Sequence, residues 1–305
     1  MDSARLPPNR KQNLEGLLRL AVENMEEGSQ LNQDPIEMDA QRNEFLQGAL
    51  QSMTMKVDDV QYALANLKNE SVSTAEKLEC LDIIRDNIDD IDAANSFVKT
   101  GGITTLLEYI RKPNSDLRPQ SIYIVAEMSQ NNEFCQNYFV NEKIIPVLTS
   151  TMNDADEDLA RGSIYAISSL IQNFPAGLKE FLRTKGTQTL LSCLSSTHVT
   201  VYIKSAFLIA SLSSNDSSFR DLINKQNAAQ ILLSNLEAKD EYEDKLEATL
   251  FALSALSLNS KWKITPLQQK EVAVILKQII NNKVLSETCE EMIKYARNIL
   301  NAITK

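Results

Sequence analysis

The sequence has a single histidine, His198, among 305 residues. One imidazole leaves little room for a Ser-His-Asp triad, a histidine-rich zinc site or a proton shuttle. Its setting, SSTHVT, predicts an exposed loop residue. Glycine and proline are scarce at 8 each, and the glycine share is under about half the usual one. Phosphate-cradling loops and turn-rich sheets need glycine, so both are disfavoured. The four cysteines, Cys80, Cys135, Cys193 and Cys289, are far apart in sequence. That spacing gives neither a zinc knuckle nor a disulfide framework and suits small core residues in a reducing compartment. Basic residues are outnumbered, 31 against 41 acidic, for a net charge of −10. Nucleic acid and anionic membrane surfaces are therefore excluded as expected partners. Long apolar runs are also missing. The uncharged stretch at residues 162–178 is interrupted by Asn173 and Pro175 and is too polar to span a bilayer. The first fifteen residues hold no signal-like apolar run, and Ile303-Thr304-Lys305 is no retention tail. The expectation is a cytoplasmic protein, with access to the nucleus, and not one of the endoplasmic reticulum lumen. The run Asp86, Asp89, Asp90, Asp92 lacks the glycine and terminal glutamate of a calcium loop. No catalytic constellation, metal set or cofactor motif emerges, so a non-enzyme is expected.

What is present is helical periodicity. Residues 1–10 are expected to be unstructured. Leu14, Leu17, Leu18, Ala21 and Met25 then form a short amphipathic stripe. Residues 26–40, with Gly28 and Pro35, break it. Apolar faces recur continuously from Asp39 onward.

Internal repeats dominate the rest. The segments SIYIVAEMSQN, SIYAISSLIQN, SAFLIASLSSN and TLFALSALSLN share an aromatic third residue: Tyr123, Tyr165, Phe207 and Phe251. Their closing asparagines are Asn131, Asn173, Asn215 and Asn259. Between them runs a second ladder: GITTLLEYI from Gly102, KIIPVLTST from Lys143, GTQTLLSCL from Gly186 and AAQILLSNL from Ala228. A helical period near 42 is the armadillo/HEAT pattern, in which stacked units share one core. The predicted fold is all-α: an armadillo-like superhelical solenoid with capping helices at both ends. Residues 1–38 form an arm and 39–305 the armadillo-like domain. Within it, 39–74 are cap helices, 75–260 about four repeats, and 261–305 cap helices that leave the period. Trp262 is expected to plug the joint before that last cap.

In armadillo solenoids the third helix of each unit lines the concave face. One turn before the aromatic stand Pro119, Arg161, Ile203 and Glu247, and one turn after it Glu127, Ser169, Ser211 and Ala255. Ile122, Val125, Ala126, Ile164, Ile167 and Leu170 fall on the opposite, core side. The aromatic column reads either as a binding stripe or as packing between third helices, with packing favoured for Phe207 and Phe251. The asparagines suit helix C-caps better than ligand binding. Arg118, Arg161 and Lys204 recur near the starts of third helices and would form a basic edge for an acidic protein surface. The tryptophan–asparagine ladder of import-type peptide adaptors is absent, since Glu127, Ser169, Ser211 and Ala255 occupy the asparagine positions. An armadillo scaffold or peptide adaptor is therefore the second reading.

Several stretches resemble the armadillo-type nucleotide exchange factors of the 70-kDa heat-shock chaperones, the heat-shock-protein-70-binding-protein family of the cytosol. They are NLEGLLRLAVE, RNEFLQGALQSM, LECLDIIRDNIDDIDAANSFVKTGGITTLL, LARGSIYAISSLIQNFPAGLKEFLRTKGTQTLLSCL, IKSAFLIASL and ETCEEMIKYARNIL. Their order and spacing span nearly the whole chain. The resemblance implies a monomeric co-chaperone without catalytic residues or cofactor. Its concave face would bind the chaperone's ATPase domain, displace one lobe and release ADP, and with it the client. The geometry above nominates Arg118, Tyr123, Glu127, Arg161, Tyr165, Lys204 and Phe207 as contacts. The resemblance adds an N-terminal arm, with Leu14, Leu17 and Leu18 as anchors, that engages the chaperone's peptide-binding domain.

Overall fold

A computed structural model describes residues 57–113, 115–258, 262 and 264–304, all within the unit Met55–Lys305. Leu14, Leu17 and Leu18, the arm 1–38 and residues 39–56 of the first cap lie outside the described residues. No strand occurs among the described residues. After a helix through residues 57–68 come α1 (Thr74–Asn87), α2 (Ile91–Lys99), α3 (Ile103–Arg111), α4 (Arg118–Ser129), α5 (Glu133–Asn141), α6 (Ile144–Thr151), α7 (Glu157–Ile171) and α8 (Pro175–Arg183). Then follow α9 (Gly186–Cys193), α10 (Val199–Asn215), α11 (Ser217–Lys225), α12 (Ala228–Leu233), α13 (Asp244–Leu256), α14 (Pro266–Asn281), α15 (Lys283–Thr288) and α16 (Glu290–Thr304). Helices α2–α13 form four units of three, each ending in a third helix: α4, α7, α10 or α13. The all-α solenoid read from the sequence is the observed fold. No helix among the described residues is long and apolar enough to cross a membrane.

Local chemistry sets each unit's boundaries. First helices start at Asp90, Asn132 and Asp216, whose side-chain oxygens accept from backbone N–H groups of the first turn. The third unit starts with Pro175 at its first helical turn instead. First and second helices meet at a left-handed residue: Gly101, Lys143, Lys185 and Asn227, each 42 after the last. This column fixes the register. It moves the second unit of the ladder by one residue, so that Ile144, not Lys143, is the counterpart of Gly102, Gly186 and Ala228.

A second column was not read from the sequence. Phe97, Phe139, Phe181 and Ile223, also 42 apart, end the first helices and are at most 4% exposed. Gly102 and Gly186 let two of these rings approach closely: a Cβ there would stand 2.4 Å from the Phe97 ring and 2.3 Å from the Phe181 ring. The core side of the third helices is as expected, with Ile122, Val125, Ala126, Ile167 and Leu170 fully buried and Ile164 1% exposed. Ser121, Ser163, Ser205 and Thr249 are also fully buried. Three of these hydroxyls donate to carbonyls four residues back, at Leu117, Leu159 and Lys245.

The asparagine column divides. Asn131 and Asn173 adopt left-handed φ of 52° and 55° just past α4 and α7, as C-caps. Asn215 instead closes α10 by donating to the Ser211 carbonyl at 3.1 Å, and Asn259 lies outside the described residues. His198 is not the exposed loop residue expected. It is half-buried at the start of α10, with Nε2 3.0 Å from the Ala155 carbonyl and Nδ1 3.3 Å from Glu157. Trp262 packs against the core and its indole N–H donates to the Leu256 carbonyl at 3.2 Å. The last segment keeps the period more closely than the sequence suggested. Helix α16 packs on α13, and Tyr295 stacks on Phe251, 44 residues earlier, at 5.1 Å and 26°.

Candidate partner-binding face

Third helices pack side by side in the order α4, α7, α10, α13, α16. This row brings the aromatic column together. The rings of Tyr123 and Tyr165 lie 6.3 Å apart, and those of Phe207 and Phe251 5.8 Å. No ring contact joins Tyr165 to Phe207 among the described residues, and a groove of ≈ 480 Å³ opens there. Tyr165, Lys204, Phe207 and Phe251 line it, above Gln172 and Ser211. Phe207 is 38% exposed although it touches Phe251. The column is thus both packing and exposed surface.

The charged candidates behave differently from one another. Arg161 Nε donates to the Tyr123 hydroxyl at 2.6 Å, its guanidinium carbon lies 5.7 Å from the Tyr123 ring centroid, and Nη2 meets Asp158 at 2.7 Å. Burial pushes the Tyr123 phenol up, against the hydrogen bond and charge of Arg161. Gly162 makes room for that ring, since a Cβ would stand 3.1 Å from it. Lys204 Nζ sits 5.7 Å from the Tyr165 ring centroid. Desolvation against its neighbours, then the Arg161 charge, lowers the Lys204 ammonium from the usual lysine range. Its side chain is nonetheless exposed, so solvent screens much of that effect. Lys204 has no carboxylate partner among the described residues.

Glu127 is bound to its own chain. Arg85 on α1 grips it in bidentate fashion, with Nε 3.0 Å and 2.8 Å from the two carboxylate oxygens. Arg118 departs from the basic edge. Its Nε donates to the Ile110 carbonyl at 2.8 Å and so caps α3. The physical reason is register. Arg118 stands five residues before its aromatic, Arg161 four and Lys204 three, and each step turns a side chain about 100° around the helix. Arg161 and Lys204 are brought close; Arg118 is directed elsewhere. No group of three or more His, Cys, Asp or Glu able to hold a metal ion occurs among the described residues.

These features define a class: an armadillo-type helical repeat protein whose third helices carry the exposed aromatic and basic side chains. The fold is shared with a designed armadillo repeat protein, at TM-score 0.62 and 14% identity over 79% of this chain and 98% of that one. It is shared also with a designed armadillo repeat protein in complex with the peptide (KR)4, at TM-score 0.61 and 15% identity over 79% and 98%. An engineered protein matches at TM-score 0.63 and 17% identity over 81% and 96%. More particularly, residues 14–97 match the family model described as nucleotide exchange factor Fes1. The likeness to the exchange-factor family thus covers residues 14–97, and the fold is that of armadillo repeat proteins.

Proposed function

We propose that this protein is a nucleotide exchange factor of a cytosolic 70-kDa heat-shock chaperone. The match of residues 14–97 to the Fes1 family carries the reading. In it, the third-helix face grips the chaperone's ATPase domain through Tyr123, Glu127, Arg161, Tyr165, Lys204 and Phe207. Arg118 supports that face from behind by capping α3. The protein supplies no chemistry of its own. Nucleotide lies between two lobes of the ATPase domain, and binding that favours the lobes apart weakens the hold on ADP. By linkage, nucleotide must weaken the exchange factor's grip to the same degree. A thousandfold effect needs about 4 kcal/mol of preference for the opened state. A protein interface of standard size with a few buried anchors reaches that.

The arm, with Leu14, Leu17 and Leu18, is proposed to engage the peptide-binding domain and help eject clients. Deleting residues 1–38 should then slow client release at matched ADP-release rates; equal rates would refute that role. The main reading is tested by calorimetric titration of the chaperone's ATPase domain with Arg161→Glu/Lys204→Glu protein. Binding should be lost while helicity and melting are kept. Unaltered affinity would remove the basic edge from the mechanism.

A further inference from the structure

The chain shows how it places cations on its own ring ladder. Arg161 covers the ring of Tyr123, 38 residues before it, and Lys204 covers Tyr165, 39 before it. The pattern stops there. Among the described residues, no cation covers the rings of Phe207, Phe251 or Tyr295. The corresponding place in the next unit is taken by Lys245 and Glu247. Lys245 turns inward, with Nζ 4.8 Å from the ring of buried Tyr202, and Glu247 is left on the face.

The position one turn before the aromatic accordingly reverses its charge along the solenoid: Arg161, Ile203, Glu247, then Glu291 before Tyr295. Glu247 accepts from the Tyr242 hydroxyl at 2.7 Å, and Glu291 from the Tyr295 hydroxyl at 3.4 Å. Neither has a basic partner among the described residues. Both lie close enough to Tyr295 to raise its phenol, after the larger effect of its burial. Stacked, partly exposed rings flanked by two unneutralised carboxylates form a seat for a lysine or arginine.

We infer that the α13–α16 end of the third-helix face receives a basic side chain of the protein partner, seated against the Phe251–Tyr295 stack between Glu247 and Glu291. This rests on the reading that the third-helix face binds the chaperone. The face is then bipolar: cationic at Arg161 and Lys204, anionic at Glu247 and Glu291. A partner must match both poles, which fixes its direction along the solenoid and excludes the reversed orientation.

The test is titration of the full chain with the chaperone's ATPase domain across a salt series. The variant Glu247→Lys/Glu291→Lys would place the chain's own cations on the seat. It should bind about tenfold or more weakly, with a slower association rate at low salt and an unchanged circular dichroism spectrum. Glu247→Gln/Glu291→Gln should show a smaller loss in the same direction, even if the lysine variant folds poorly. Unchanged or tighter binding by both pairs, with Arg161→Glu/Lys204→Glu still abolishing binding, would overturn the seat and leave the face reading intact. Full binding by all three would overturn both.

Discussion

Arg161 on α7 and Tyr123 on α4 are joined twice, by a 2.6 Å hydrogen bond from Nε to the hydroxyl and by the guanidinium lying over the ring at 5.7 Å. One residue on, Gly162 admits the ring against the helix. A basic side chain proposed to meet a partner is thus held by the neighbouring repeat before the partner arrives. Such pre-organisation lowers the entropy lost on binding.

Tyr123→Phe isolates the hydrogen bond, because the ring and its contact with the guanidinium remain. Stability should fall by about 1 kcal/mol, read from the urea midpoint at constant slope. An unchanged midpoint would mean that the bond contributes nothing in solution.

The period and the third-helix core were legible because both rest on apolar spacing. Ile122, Ile164 and their equivalents had to face inward once the repeat was aligned. The Phe97–Phe139–Phe181–Ile223 column was missed because it lies in short first helices, where nine residues give little periodicity. The one-residue offset at Lys143 had a similar source. Its left-handed φ of 59° is a backbone property that a lysine does not advertise, whereas Gly101 does. Arg118 was grouped with Arg161 and Lys204 by nearness in sequence; only the helical angle shows that it faces Ile110. Tyr295 was left out of the ladder because its helix follows the longer α14 and lacks the serine-led motif of the others.

With the Phe97 and Phe181 rings where they stand, a side chain at Gly102 or Gly186 should be costly. An added methyl would enter the Phe97 or Phe181 ring, and overpacking of this kind costs about 1–3 kcal/mol. Gly102→Ala and Gly186→Ala should each lower the melting temperature clearly. Gly101→Ala meets open space but keeps φ at +80°, so it should cost about 1 kcal/mol. Equal melting of the Gly186→Ala and wild-type proteins would contradict the packing described.

Asp216 caps α11 with two bonds, from Ser218 N at 2.8 Å and Phe219 N at 3.1 Å. Asp216→Ala should cost about 1 kcal/mol, and Asp216→Asn much less, since asparagine caps nearly as well. Thermal unfolding of the two variants side by side checks this. A loss as large for asparagine as for alanine would assign the effect to charge rather than capping.

Alkaline pH should destabilise the fold through its thiols. Burial pushes Cys135 and Cys193 up to about 11, from 9.0. The folded state therefore holds the proton more tightly than the unfolded chain. That contribution is complete below the unfolded value and is lost as pH rises through the folded one. Burial raises the phenol of Tyr202 as well, with the same sign. Stability should fall between about pH 9 and 11, and the fall should be shallower in Cys135→Ala/Cys193→Ala protein. Urea midpoints at three alkaline pH values measure the slope. An identical slope in the variant would exclude the thiols as its source.

Nucleotide exchange is the activity proposed for this protein. Release of a fluorescent ADP analogue from a cytosolic 70-kDa heat-shock chaperone, followed by stopped flow with and without this protein, tests it most directly. Acceleration that saturates with concentration and is abolished by Arg161→Glu/Lys204→Glu is the expected result. Unaccelerated release at concentrations where binding is seen independently would contradict it, and would leave a chaperone-bound scaffold in place of an exchange factor.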